Sequence, residues 1–130
     1  MIIEDYVSFE TAKLLKEKGF DAHLHVYYSS EGLVQWMTGK KWMQNKDLTS
    51  TACIRPTLQM AMKWLRERHN LFIFISTWLK HKDGTIQYYY EIRNLNDKDF
   101  ETITESTITE FNSPEKTCEV AIKYCLENLI

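Results

Sequence analysis

The sequence predicts a single α+β domain over residues 1–130, an antiparallel sheet of hairpins with about three helices packed on it. Three observations carry this. Residues 71–93 read as one long hairpin, with two β-prone runs on either side of "KHKDGT". Three segments, 8–18, 55–70 and 113–130, place apolar residues at helical spacing. No repeat, low-complexity tract or linker marks a second domain.

The first helix is "SFETAKLLKEK" (8–18). Ser8 suits its N-cap, Phe9, Ala12 and Leu15 share a side with Leu14 beside them, and Gly19 follows as C′ with Phe20 folding back. "HLHVYY" (23–28) alternates as a strand and pairs with "LVQWM" (33–37) across "SSEG"; a short helix from Ser30 is the competing reading. In 38–54, "KKWMQ" reads as a short strand and "NKDLTSTAC" as loop. Pro56 fits the first turn of the middle helix and Asn70 its end. Its apolar stripe is Leu58, Ala61, Met62, Leu65 and His69, widened by Met60 and Trp64, opposite a polar arc of Gln59, Lys63, Arg66 and Glu67.

In the long hairpin, Asp83-Gly84 reads as a two-residue primed turn. That register sets Lys82 against Thr85, Leu79 against Tyr88, Thr77 against Tyr90 and Ile75 against Ile92. The inner face is then Leu71, Ile73, Ile75, Leu79, Ile86, Tyr88, Tyr90 and Ile92. The outer face carries Phe72, Phe74, Trp78, Gln87, Tyr89, Glu91 and Arg93. "ETITESTITEF" (101–111) alternates as a charged edge strand. The last helix is capped by Ser113, starts at Pro114 and buries Cys118, Ala121, Ile122, Cys125, Leu126 and Leu129.

Composition narrows the function. With 44% hydrophobic and 26% charged residues the chain reads as a soluble globular protein. A net charge of −2 argues against a general polyanion binder. The charge is uneven, because residues 35–69 hold seven Lys or Arg against two Asp or Glu, between acidic ends. The expectation is that the fold pairs these regions and cancels them. Three cysteines make no disulfide framework. Cys118 and Cys125 are about 10 Å apart along a helix, too far to bridge, and read as buried thiols of a reducing cytoplasm. Glu4 and Asp5 break any secretory signal. "LFIFISTWL", interrupted by Ser76 and Thr77, is a strand rather than a membrane span.

The four glycines are isolated, which excludes P-loop and dinucleotide fingerprints. His23 and His25 share a side of their strand, but His69 and His81 are not tied to them by metal-ligand spacing, so no metal is expected. No serine or cysteine stands in a nucleophile pattern, and the carboxylates of 97–105 follow a solvent-side pattern. The expectation is a non-enzymatic protein without cofactor that binds a protein partner or itself. Its candidate face is Phe72, Phe74, Trp78, Tyr89 and Arg93. The alternative is a nucleic-acid binder using a basic seam of Lys40, Lys41, Arg55, Lys63 and Arg66, with Trp36, Trp42 and Trp64 interleaved for stacking.

"YVSFETAKLLKEKGFD", "PTLQMAMKWLRERHN" and "AIKYCLENLI", roughly a third of the chain, resemble a group of small proteins encoded by phages and integrated mobile elements of gut anaerobes. The group has no assigned activity. The resemblance implies a cytoplasmic accessory protein borne by a phage or mobile element, and it brings no site residues with it.

Overall fold

The structure, a computed structural model, describes residues 2–39, 41–49, 51–96, 98, 102–105 and 111–130. Among them are three α-helices and two three-stranded antiparallel sheets, an α+β fold. The chain divides into two compact units, Met1–Ala61 and Met62–Ile130.

In the first unit, helix α1 (Phe9–Glu17) follows its sequence signals closely. Ser8 Oγ accepts the Thr11 N–H at 3.2 Å, and Phe20 N and Gly19 N donate to the Leu15 and Lys16 carbonyls at 2.9 and 3.1 Å. Those two bonds form a Schellman closure, which satisfies carbonyls the helix leaves open. Strand β1 (Val26–Tyr28) lies between β2 (Val34–Trp36) and β3 (Cys53–Ile54), with Val26 opposite Trp36 and Tyr27 opposite Ile54. The Ser30 helix does not form. β1 is shorter than 23–28, because Leu24 bridges Met43 instead of joining the hairpin. The predicted strand "KKWMQ" reduces to that bridge. Residues 45–47 form a 3-10 turn, and Cys53 and Ile54 leave the predicted loop to become a sheet strand.

Helix α2 (Leu58–His69) runs through the division between the units. Its cap is Thr57, whose Oγ1 accepts the Met60 N–H at 3.1 Å. Pro56 therefore stands one residue before the cap rather than in the first turn, and its carbonyl accepts from Val7 N. Of the predicted stripe, Leu58, Ala61, Trp64 and Leu65 are buried and Met62 and His69 half-buried, whereas Met60, placed on its widened flank, is 39% exposed. Asn70 ends the helix with a φ of 56°, a conformation that asparagine tolerates better than most residues.

The second unit orders its strands β4 (Leu71–Lys80), β5 (Ile86–Asn94) and β6 (Thr102–Glu105), with β5 central. Most of the predicted edge strand 101–111 thus falls outside the described residues or ends in an isolated bridge of Phe111 to Tyr88. Helix α3 (Pro114–Asn128) begins as expected, with Ser113 Oγ accepting the Lys116 N–H at 3.1 Å. It packs on one face of β4 and β5, and buries Cys118, Ala121, Ile122, Cys125 and Leu126. Full burial of each Ile or Leu side chain is worth about 1.5–3 kcal/mol. Leu129 is only half-buried.

The β4–β5 register corrects the sequence reading. His81 N donates to Thr85 O at 2.8 Å and Gly84 N to His81 O at 3.0 Å, so the loop holds three residues, Lys82 to Gly84. Only Gly84 of these has a positive φ, at 92°. A primed two-residue turn needs Asp83 there too. A type I turn closed by a left-handed glycine fits the observed bonds, and Thr85 N and Oγ1 lock it by donating to Asp83 Oδ1 at 2.9 and 2.6 Å. Those bonds hold the Asp83 carboxyl below its ordinary pKa. The first hairpin repeats the design: Ser29 N donates to Leu33 O and Gly32 N to Ser29 O, with a Gly32 φ of 82°. A Cβ at Gly32 would also stand 2.8 Å from the Phe9 ring.

A bulge at Trp78 shifts the register again. Thr77 faces Tyr88 and Ile75 faces Tyr90, but Leu79 faces Gln87. One extra residue reverses the facing of those beyond it. Leu79 therefore leaves the predicted inner face and is 48% exposed. The rest of that face stands: Leu71, Ile73, Tyr90 and Ile92 are buried, and Ile75, Ile86 and Tyr88 are half-buried.

Candidate functional site

The five residues of the predicted interaction face come together on the outer side of β4 and β5. Phe72 faces Arg93, Phe74 faces Glu91 and Ser76 faces Tyr89. The Phe72 and Phe74 rings are 5.2 Å apart, and Trp78 meets Tyr89 edge-on at 6.1 Å. The Arg93 guanidinium lies 5.3 Å from the Phe74 ring centroid and pairs with Glu91 at 3.1 Å. Its Nε is buried with no acceptor among the described residues. Alternation places these groups on one side, and α3 packs against the opposite side, where Tyr90 and Tyr124 lie 6.4 Å apart. Phe74 is 47% and Trp78 62% exposed. The bulge adds Leu79, so two large aromatics and a leucine stand open on this side, with the neutralised Arg93–Glu91 pair beside Phe74. Such a surface can bury apolar area against a protein without stranding a charge.

The basic seam fares differently. Lys40 lies outside the described residues. Arg55 is taken up by the first unit's own packing. It lies 3.9 Å from the Tyr6 ring centroid, and its Nε donates to Tyr28 Oη at 3.1 Å. Tyr28 Oη in turn donates to the Val7 carbonyl at 2.5 Å. Lys63 pairs with Glu67 at 3.9 Å, both well exposed, and Lys41 and Arg66 are exposed. Of the interleaved tryptophans, Trp64 is core and its ring meets His69. Burial, then the neighbouring Arg68, holds His69 below its ordinary pKa. Trp36 and Trp42 are 63% and 58% exposed.

Arg55 is thus placed as a structural residue. Arg55→Ala is expected to cost about 1–2 kcal/mol of stability, because it removes a stacked guanidinium and one donor to a buried hydroxyl. Urea unfolding of the wild type and variant measures this.

Of the His23–His25 pair, His23 is exposed and His25 half-buried, flanking the buried Leu24. His25 Nδ1 is 2.6 Å from the Lys41 carbonyl, and its ring stacks on Trp42 at 3.7 Å. Among the described residues no three His, Cys, Asp or Glu side chains group as a metal site needs. Asp97, Asp99 and Glu101 of the acid-rich stretch 97–105 lie outside the described residues. All three thiols are buried, and desolvation raises them, Cys53 to about 11 and Cys118 and Cys125 to about 12. Such thiols stay protonated at neutral pH and are poor nucleophiles. Cys118 Sγ rests 3.3 Å from Met62 Sδ. Among the described residues no helix is long and apolar enough to cross a membrane.

Sequence reasoning missed Asn45. Its Nδ2 donates to the Phe20 carbonyl at 3.0 Å, and its Oδ1 accepts from Ile54 N at 2.8 Å. It is buried, and it ties the segment before β3 to the end of α1. The nearest sequence signal is a lone asparagine among polar residues, which indicates only a turn. No protein-family model, curated protein or solved structure matches this chain.

Proposed function

We propose that this chain is a non-enzymatic accessory protein that works by docking its outer β4–β5 face onto a protein, with a second copy of itself as the first candidate partner. The supporting observation is the aromatic side of β4 and β5, with Phe74, Trp78 and Leu79 open to solvent. Interface cores use aromatic and arginine side chains of this kind, and large exposed apolar patches are uncommon on surfaces that meet only water. The neutral Arg93–Glu91 pair favours a partner that need not supply a matching charge. A cytoplasmic role in a phage or mobile element belongs to the same reading and rests on the resemblance of the three segments. Sedimentation equilibrium tests the self-association arm. The expected result is a mass that rises with concentration and hardly changes with salt. A monomer at every concentration, together with no protein recovered by affinity purification, overturns the reading.

A second reading is single-stranded nucleic acid on Trp36 and Trp42, supported by their exposure, the His25–Trp42 stack and the exposed Lys41 alongside. It requires oligonucleotide affinity that falls steeply with salt. Absence of binding at low ionic strength refutes it.

A further inference from the structure

A cavity of about 500 Å³ opens in the first unit. Its walls include Lys13, Lys16 and Glu17 from α1, Ser30 from the β1–β2 loop, and Thr51 and Cys53. That volume is within the usual range for small-molecule sites. Lys13 and Lys16 are three apart on the helix, so they project from one side of it. Lys13 Nζ rests 4.7 Å from the centroid of the Phe9 ring rather than on a carboxylate. Lys16 Nζ donates to the Thr49 and Ala52 carbonyls at 2.7 and 2.6 Å, which fixes its charge in place and leaves one of three N–H donors for another acceptor. Ser30 Oγ and Thr51 Oγ1 are 2.5 Å apart. One hydroxyl donates to the other, and the second keeps its proton free for an acceptor. The cavity therefore combines two positive charges, the Lys16 one held in place, and spare N–H and O–H donors with a single carboxylate. Both lysines also act on the Cys53 thiol, opposing the burial that raises it, so their field reaches that wall.

We infer that this cavity binds a small-molecule oxyanion, a phosphate or carboxylate group held by Lys13, Lys16 and the Ser30–Thr51 hydroxyl pair. Cys53 closes the site as a packed, protonated wall. The inference stands apart from the β4–β5 face and involves none of its residues.

The test is an amide NMR titration of the full chain with inorganic phosphate and, separately, acetate, at an ionic strength held constant with sodium chloride. The expected result is saturable movement of the Ser30, Thr51 and Cys53 signals. Movement with phosphate alone assigns the site to phosphoryl groups, and movement with acetate alone or with both anions extends it to carboxylates. Lys13→Gln changes an exposed side chain and should leave the spectrum folded while weakening binding about tenfold, the loss of one charged hydrogen bond. Ser30→Ala should weaken it as well. No saturable movement with either anion beyond the chloride control overturns the inference, as does unchanged affinity in a folded Lys13→Gln protein.

Discussion

Asn45→Ala is expected to lower stability by about 3 kcal/mol, since it leaves two buried backbone groups without partners. The side chain serves the Phe20 carbonyl and the Ile54 N–H together, and both residues are almost fully buried. In alanine no atom replaces either bond, and a buried polar group left without a partner costs free energy. For a domain of this size the loss corresponds to about 10 °C in Tm. Asn45→Asp separates the two bonds. Its carboxylate still accepts from Ile54 N but faces the Phe20 carbonyl with no donor. Its deficit should therefore shrink as the carboxyl protonates in acid and regains an O–H to donate. Thermal unfolding of the three proteins at neutral and acidic pH measures both effects. Equal stability of all three would show that Asn45 does not hold the segment.

The fold is also expected to weaken steeply in alkali. The three thiols are raised by burial to about 11, 12 and 12. An unfolded thiol ionises near 9, so above that pH the unfolded chain has lost protons that the folded chain keeps. Stability then falls as pH rises. The thiol contribution is fully present below about pH 9 and is lost progressively as pH rises from there to the folded values of about 11 to 12. At pH 10 each thiol favours unfolding by about one pKa unit, so the three together cost roughly 3–4 kcal/mol relative to pH 7. Tyr90 adds to this in the same direction, because burial raises its hydroxyl first and the neighbouring Tyr124 second. Urea midpoints between pH 7 and pH 10 give the slope. A thiol reagent gives an independent check: native protein should react slowly at all three positions, and urea-unfolded protein should react at once. Prompt labelling of the native chain would contradict the burial.

The elements most legible in the sequence are those set by local rules. Ser8 and Ser113 cap their helices, Gly19 and Phe20 close α1, and the stripe from Cys118 to Leu126 turns inward. Each depends on residues within about one turn of one another, and spacing alone reveals them. The hairpin register did not follow from such rules. Asp83-Gly84 suits a primed turn and a three-residue loop equally well, and the choice rests on which backbone carries a positive φ. The Trp78 bulge is invisible to a period of two, so Leu79 was assigned to the wrong face. Asn45 escaped because its partners stand 25 and 9 residues away. Charge counting found the basic middle but not the rings that hold Arg55 or the carboxylate beside Lys63. Alternation alone did gather Phe72, Phe74, Trp78, Tyr89 and Arg93, since the bulge leaves Trp78 against Tyr89.

The aromatic face is tested most directly by the double variant Phe74→Ser, Trp78→Ser, compared with the wild type by sedimentation equilibrium and by affinity purification. Both side chains are exposed, so circular dichroism and Tm should remain close to wild type. The expected result is a folded protein that stays monomeric and recovers no protein partner, where the wild type associates or recovers one. A folded double variant with unchanged mass and unchanged partners would contradict the assignment of this face.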